Sequence, residues 1–428
     1  MCDDGNTTFG DGCLPTSCAV EGGGWTCAGQ PSVCQNCGNG RAEGSEVCDG
    51  QDVRGAGCLA LGMRQGGAPP NCQSQCTQVF FQSGNCGPLI QDGFDLEQAF
   101  QDAENLPLDQ IIAIPSGRYI LNSGITVDSF NSGTVFVQPL SGPVTLVGST
   151  AQVLFDVRAS RAVFRDLTIE DAEEAFRLEN NTAQDPGVTL ERLWFTNPTV
   201  RADRLIVAQG GRHRVVGNRF ETTQPSNLGT GEAIVVASGD GDVIAQNVIS
   251  GPFAVGIFLQ NVQANPVFLD HNSVRLTQSP AVQAVALRLQ DGNACVRNNV
   301  LAYDGPSFNG YPLQAQVGGA MPSMMECGNA TPVGFNNAYA SQGGSLCQSG
   351  CGQWCPGPLC DLNLDPQYAM GDAALCLGAG SLLRDAALTL GYDLVDNDPA
   401  LFRGVAPDVG ARESLSGRAY GQFYSACP

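Results

Sequence analysis

From residue 110 to about residue 345 the chain reads as short β-branched and apolar runs of three to six residues, separated by glycine, asparagine and aspartate. Runs of that length with turn residues between them predict strands rather than helices. "DQIIAIPSGRYILNSGITV" sets the pattern, broken at Pro115-Ser116-Gly117 and at Ser123-Gly124. One stretch before it differs. "DLEQAFQDAENL" places Leu96, Ala99, Phe100 and Ala103 at helical spacing, with Asp95 as N-cap and Gln98 three residues on, which predicts a short amphipathic helix.

The strand-like runs recur in step. "RDLTI", "ERLWF", "GNRF", "QNVI", "HNSV", "NNVL" and "NNAY" align so that one column holds Leu167, Leu193, Asn218, Asn247, Asn272, Asn299 and Asn337. A second column, two residues later, holds Ile169, Phe195, Phe220, Ile249, Val274, Leu301 and Tyr339. The intervals are 26, 25, 29, 25, 27 and 38 residues, a coil length with loop insertions. Such a coil cannot bury its apolar edge alone, so like side chains stack on like at about 4.8 Å per rung. The fold class expected is therefore all-β: a right-handed parallel β-helix of about eight or nine coils, with a short N-terminal capping helix. The asparagine column has a structural reading, because stacked inward amides at a turn can bond each other and the bent backbone. "AIVVAS", "GIFLQN" and "AVALRLQD" supply another face of each coil.

Nineteen cysteines change the picture at the two ends. Cys2, Cys13, Cys18, Cys27 and Cys34 form one group, and Cys37, Cys48, Cys58, Cys72, Cys76 and Cys86 a second unit of six. Cys295, Cys327, Cys347, Cys351, Cys355, Cys360, Cys376 and Cys427 follow after a gap of 208 residues. That density implies disulfides and an oxidising, extracellular or cell-surface location, and disulfides are favoured over zinc even for "CQSGCGQWCPGPLC". A small disulfide-rich module is expected over 1–88, the β-helix with its cap over 89–345, and a cysteine-rich insertion with the solenoid's end over 346–428. Overlaying the two N-terminal units leaves Cys2 without its partner, as if the first repeat were truncated and the export signal lay outside the chain. No run of about 18 apolar residues marks a membrane span.

Two resemblances accompany these motifs. "CDDGNTTFGDGC", "GGGWTC" and "CGNGRAEGSEVCDG" resemble the cysteine-rich repeat of myxobacterial-type surface proteins. "IIAIPSGRYIL" with "VTLVGST" resembles the first coils of pectate-lyase-like β-helix proteins, and "LDPQYAM", "GAGSLLRDAA" and "APDVGARE" resemble the end of choice-of-anchor Q proteins. The resemblance implies a shape more than a reaction, since that superfamily holds lyases, hydrolases and proteins with no known reaction.

Charge narrows the chemistry. The net charge is −21, and all 21 basic residues are arginine. Nucleic acid is excluded as a natural partner, and lysine-dependent Schiff-base or P-loop chemistry is absent. Only His213 and His271 could serve a histidine mechanism. Four constellations remain. Turns after successive long strands place Asp240, Asn261 and Asp291 in a stack with Asp242 nearby; Asp240 and Asp291, about 10 Å apart on ideal rungs, would suit an inverting carboxylate pair. The plainer reading is that "GDGD" and "QDGN" are turn sequences. Arg201, Arg204, Arg212, Arg214 and Arg219 with His213 form a basic run that could hold an anionic sugar by forked contacts, or a solvated face. "LDHNSVRL" offers Asp270, His271 and Arg275, with Arg288 as a further partner. Asp3, Asp4, Asn6 and Asp11 resemble a structural calcium loop without EF-hand spacing. No other cofactor is called for. The leading expectation is an exported protein that binds extracellular polysaccharide or matrix glycan, without established catalysis. The alternatives are a polysaccharide lyase or glycoside hydrolase at Asp240, Asp242, Asp270, His271 and Asp291, and a structural spacer or adhesin.

Overall fold

The structure is a computed structural model. It describes residues 57–65, 86–104, 110–128, 134–148, 153–158, 161–179, 187–197, 203–223, 231–262, 265–277, 284–290, 293–304 and 310–315. It also describes short strands at Cys13–Leu14, Ala19–Val20, Thr26–Ala28, Val33–Gln35, Asn71–Cys72, Val79–Phe80, Gly334–Phe335 and Ala338–Ser341. The chain divides into two compact units, 1–116 with 130–142 and 117–129 with 143–428.

In the first unit the Cys58–Cys86 disulfide closes a separation of 28 residues. The strand Met63–Gln65 pairs antiparallel with Cys86–Leu89. The helix Gly93–Glu104 buries Leu96, Ala99, Phe100 and Ala103, the stripe read from sequence. Its cap lies earlier than expected. Asp92 Oδ1 accepts the Asp95 N–H at 2.9 Å, and Asp95 Oδ2 reaches back to the Gln91 N–H at 3.2 Å, so Asp92 is the cap in place of Asp95. Asp102 at the other end of the helix accepts the Gln65 N–H, fastening helix to hairpin. Cys27 and Cys72 are also disulfide-bonded, as is Cys295 in the second unit.

The second unit is a parallel β-solenoid, as expected. Its first sheet stacks nine strands, from Gly117–Leu121 to Ala338–Ser341. Its second stacks eight, from Ile125–Val127 to Gly310–Ala315. The third runs from Ala162–Arg165 to Gly334–Phe335. The sequence column Ile169, Phe195, Phe220, Ile249, Val274, Leu301 and Tyr339 is the observed register of the first sheet, residue for residue. Inward columns of the other sheets complete the core. Phe155 stacks on Phe176 at 5.0 Å and Phe195 on Phe220 at 4.6 Å.

The corner before the first sheet explains the asparagines. Arg192, Gly217, Gln246, His271 and Asn298 all have positive φ, between 52° and 66°. That conformation turns the chain sharply and aims the next side chain into the coil. Asn218 Oδ1 accepts the Leu193 N–H at 2.8 Å, and Asn247 Oδ1 accepts the Asn218 N–H at 3.0 Å. Asn272 Oδ1 accepts the Asn247 N–H at 3.1 Å, and Asn299 Oδ1 the Asn272 N–H at 2.9 Å. Each Nδ2 group of Asn218, Asn247 and Asn272 also donates to the next amide oxygen. The column is thus a continuous hydrogen-bonded ladder, fully buried. Asn337 lies outside the described residues.

A candidate anion-binding site on the outer face of the second sheet

The residues singled out from sequence fall at several different places on the coil. Asp242 and His213 are buried and form a second ladder at the corner leading into the third sheet. His213 Nδ1 accepts the Val188 N–H at 3.1 Å, and Asp242 Oδ1 accepts the His213 N–H at 2.7 Å. This repeats the asparagine geometry with other side chains. His213 Nε2 lies 2.8 Å from the Gln209 carbonyl, so the neutral ring donates there and accepts at Nδ1. Burial, only partly opposed by that bond, lowers its pKa to about 4. Asp242 also accepts the Asp240 N–H at 3.2 Å, and burial raises its pKa to about 7.

Those two shifts have opposite signs for stability. Asp242 binds a proton in the folded chain that it lacks when unfolded, so its contribution is full at low pH and is lost as pH rises through about 7. His213 contributes fully above its unfolded value of 6.5 and loses that contribution as pH falls through about 4; His271, also lowered to about 4 by burial, acts with it. Stability should peak between these limits. Asp242→Asn should remove the alkaline arm while losing the acceptor for the Asp240 N–H, so its stability relative to the native chain should rise by roughly 1–4 kcal/mol from pH 4 to pH 8. Urea midpoints from pH 4 to 9 test this, and parallel curves for the two proteins would reject it.

Asp240 is a turn residue. Its Oδ1 accepts the backbone N–H of Asn265 at 2.7 Å and the Asn265 Nδ2 group at 2.8 Å, which ties this turn to the next coil. Asp270 forms a buried two-point pair with Arg297, at 2.8 Å for each bond, and Arg297 lies 5.7 Å from the Phe268 ring centroid. His271 is the adjacent corner residue, with φ of 55°. Asp3, Asp4, Asn6, Asp11, Arg201 and Asp291 lie outside the described residues. So do Cys18, Cys37, Cys48, Cys76, Cys327, Cys347, Cys351, Cys355, Cys360, Cys376 and Cys427, while of Cys13 and Cys34 only the backbone is described.

The basic run disperses because the chain passes three sheets in twenty residues. Arg204 opens a strand of the second sheet, Arg212 sits at a corner, Arg214 is on the third sheet and Arg219 on the first. Arg219 lies 5.2 Å from the Trp194 ring centroid and pairs with Glu221, which also accepts the Trp194 indole N–H at 3.0 Å. Arg275 pairs with Asp304. Among the described residues no three His, Cys, Asp or Glu side chains converge as a metal site.

Arg288 is different. On the outer face of the second sheet, Phe258, Arg288 and Gln314 occupy one register column on consecutive coils. The guanidinium lies 5.4 Å from the Phe258 ring centroid, and its Nε donates to Gln314 Oε1 at 2.7 Å. Phe258, Arg288, Leu289, Gln290 and Gln314 line an open pocket of about 320 Å³. Neighbouring arginines are neutralised by contact, Arg177 by Glu174 at 2.9 Å and Arg204 by Glu232 at 3.1 Å. Among the described residues no carboxylate oxygen comes within the 4.0 Å of an ion pair to Arg288. Glu232 acts on it only at longer range, and half-burial lowers the Arg288 pKa. A half-buried cation held by a ring and an amide, with its remaining N–H groups beside a pocket, is a receptor for an anion.

Sequence reasoning named Arg288, as one of seven binding arginines and as a partner to acids elsewhere, and missed Phe258, Gln314 and Glu232. Aligning "AIVVAS", "GIFLQN" and "AVALRLQD" on their inward residues would have set Phe258 beside Arg288.

No family model matches the chain, and no curated protein matches it, so the resemblances at its two ends have no such support. Among solved structures the crystal structure of pectate lyase Pel9A is similar, at 15% identity and a TM-score of 0.35, covering 78% of this chain and 94% of that one. The solenoid assignment rests on the strand ladders themselves.

Proposed function

We propose that the protein is an exported β-solenoid that binds an extracellular polysaccharide or matrix glycan along its side, with an acidic sugar residue, carboxylate or sulfate, seated at Arg288. The observation that carries this reading is the half-buried Arg288 at its pocket, with no carboxylate in contact among the described residues, in a chain where acids outnumber basic residues 42 to 21. A volume of about 320 Å³ is at the small end of ligand sites, suited to one or two sugar units with the rest of the chain lying along the sheet. The Cys58–Cys86 bond supports an oxidising destination, and no described helix is long and apolar enough to cross a membrane.

Titration calorimetry with hyaluronan, carrageenan and cellulose tetrasaccharides tests it. One of the two acidic probes should bind, with neutral cellotetraose weaker by at least about tenfold. Arg288→Gln should weaken that acidic probe about 10- to 100-fold, the loss of one charge-assisted contact, and added salt should weaken the native protein likewise. Equal binding by Arg288→Gln removes the site.

One observation favours the lyase or hydrolase alternative: Glu232 is a nearly buried carboxylate whose pKa is raised, chiefly by burial, within electrostatic reach of Arg288. New reducing ends or unsaturated products from the bound glycan, lost in Glu232→Gln, would establish it. Flat traces with retained binding leave a binding protein.

A further inference from the structure

Glu232 begins the strand Glu232–Ser238, and its side chain is only 8% exposed. From the preceding coil Arg204, half exposed, reaches it at 3.1 Å, and Asp203 adds a like charge. Beyond Arg204 stands Glu174, paired with Arg177. From the following coil the register partner is Val255, which is apolar and buried. Two coils on and three residues along the strand, Arg288 is a charge within long-range reach of it. Glu232 therefore has one cation in contact, one at a distance and one neighbouring acid.

We propose that anion capture at Arg288 is linked to protonation of Glu232, so that the acidic glycan binds more tightly when Glu232 is neutral. The inference rests on the glycan-binding reading of the same site. An anion at Arg288 offsets the distant cation that helps Glu232 to stay charged and adds a second like charge beside Asp203. Both effects favour the neutral carboxyl, and by linkage the neutral carboxyl favours the anion. Burial has already raised the Glu232 pKa from its ordinary value, which moves the exchange toward higher pH. The sign follows: binding takes up a proton, and affinity increases as pH falls. For charges about 10 Å apart near a protein surface, the expected effect is roughly two- to threefold after screening.

The test uses the full chain with whichever acidic tetrasaccharide binds, at pH 5 to 8, in buffers of different ionisation heat. Both carboxylate and sulfate probes hold constant charge over this range. Circular dichroism at each pH checks that every variant is folded. The native chain should bind roughly two- to threefold more tightly at pH 5 than at pH 8, with net proton uptake. Glu232→Gln should lose that pH dependence and bind more tightly than the native chain does at pH 8. Glu174→Gln and Asp242→Asn should keep the native pH dependence. A native chain with no pH dependence, a Glu232→Gln variant that retains it, or its loss in Glu174→Gln or Asp242→Asn overturns the linkage. Arg288→Gln separates the two proposals: if it binds like the native chain the glycan site itself is wrong, and if it binds poorly while the pH slope is absent only the linkage fails.

Discussion

Asn247→Leu should destabilise the chain by roughly 3–5 kcal/mol, measured as the shift of the urea unfolding midpoint at constant slope. The reason is hydrogen bonding rather than volume. Leucine already fills the same column at Leu167 and Leu193, both fully buried, so the shape is accepted. What leucine cannot replace are the four bonds of Asn247. It accepts from the Asn218 N–H and Nδ2, and its own Nδ2 donates to the Val215 carbonyl at 2.8 Å and to Asn272 Oδ1 at 3.0 Å. Removing the side chain leaves a buried N–H without its acceptor, in a place water does not reach. Asn247→Asp should be informative beside it. The carboxylate keeps the acceptor role but faces the Val215 carbonyl and Asn272 Oδ1 where a donor stood, so its cost should shrink on acidification. Ser250→Ala, in the same coil but on the outer face, should stay within about 0.5 kcal/mol. A cost below about 1 kcal/mol for Asn247→Leu would mean that the ladder is not what holds the corner.

The solenoid was legible because its physics is repetitive. One coil length and one apolar column suffice to place Ile169, Phe195, Phe220 and their successors in register, and the pairing reproduces that alignment without a slip. The asparagines were legible for the same reason. The second ladder was not, since it is built from unlike residues, a backbone N–H at Val188, His213 and Asp242, and shows no repeated letter. Residue type there suggested acid–base chemistry, whereas position gives a corner bond. The helix cap was misplaced because Asp92 and Asp95 are both good caps and only the observed geometry chooses between them.

The site was legible only in part, because nearness in sequence and nearness on a solenoid are different quantities. Five arginines within twenty residues look like a patch, yet that stretch crosses three sheets. Residues that do meet are a full coil apart, as Phe258, Arg288 and Gln314 are. Composition gives no warning of which arginine, among the described residues, has no carboxylate in contact. That follows only when each guanidinium is seen with its carboxylate, as Arg177 with Glu174 and Arg275 with Asp304.

The Asp270–Arg297 pair separates a structural from a catalytic reading of the "LDHNSVRL" acids. Arg297 is 1% exposed and Asp270 fully buried, with both carboxylate oxygens engaged at 2.8 Å. Asp270→Asn should cost roughly 3–5 kcal/mol, because it leaves a buried guanidinium without its counter-charge. The double variant Asp270→Leu with Arg297→Met should recover most of that loss and stand within about 2 kcal/mol of the native chain, since two charges then need no desolvation. The coupling between the two sites, read from the four unfolding midpoints, should be at least about 2 kcal/mol. A catalytic Asp270 predicts a different pattern. Asp270→Asn would then stay nearly as stable as the native chain and lose any glycan turnover, and Arg297→Met would not rescue it. Strong stability coupling with unchanged glycan binding would assign Asp270 to holding the third sheet together, and leave Arg288 on the second sheet as the group that meets the ligand.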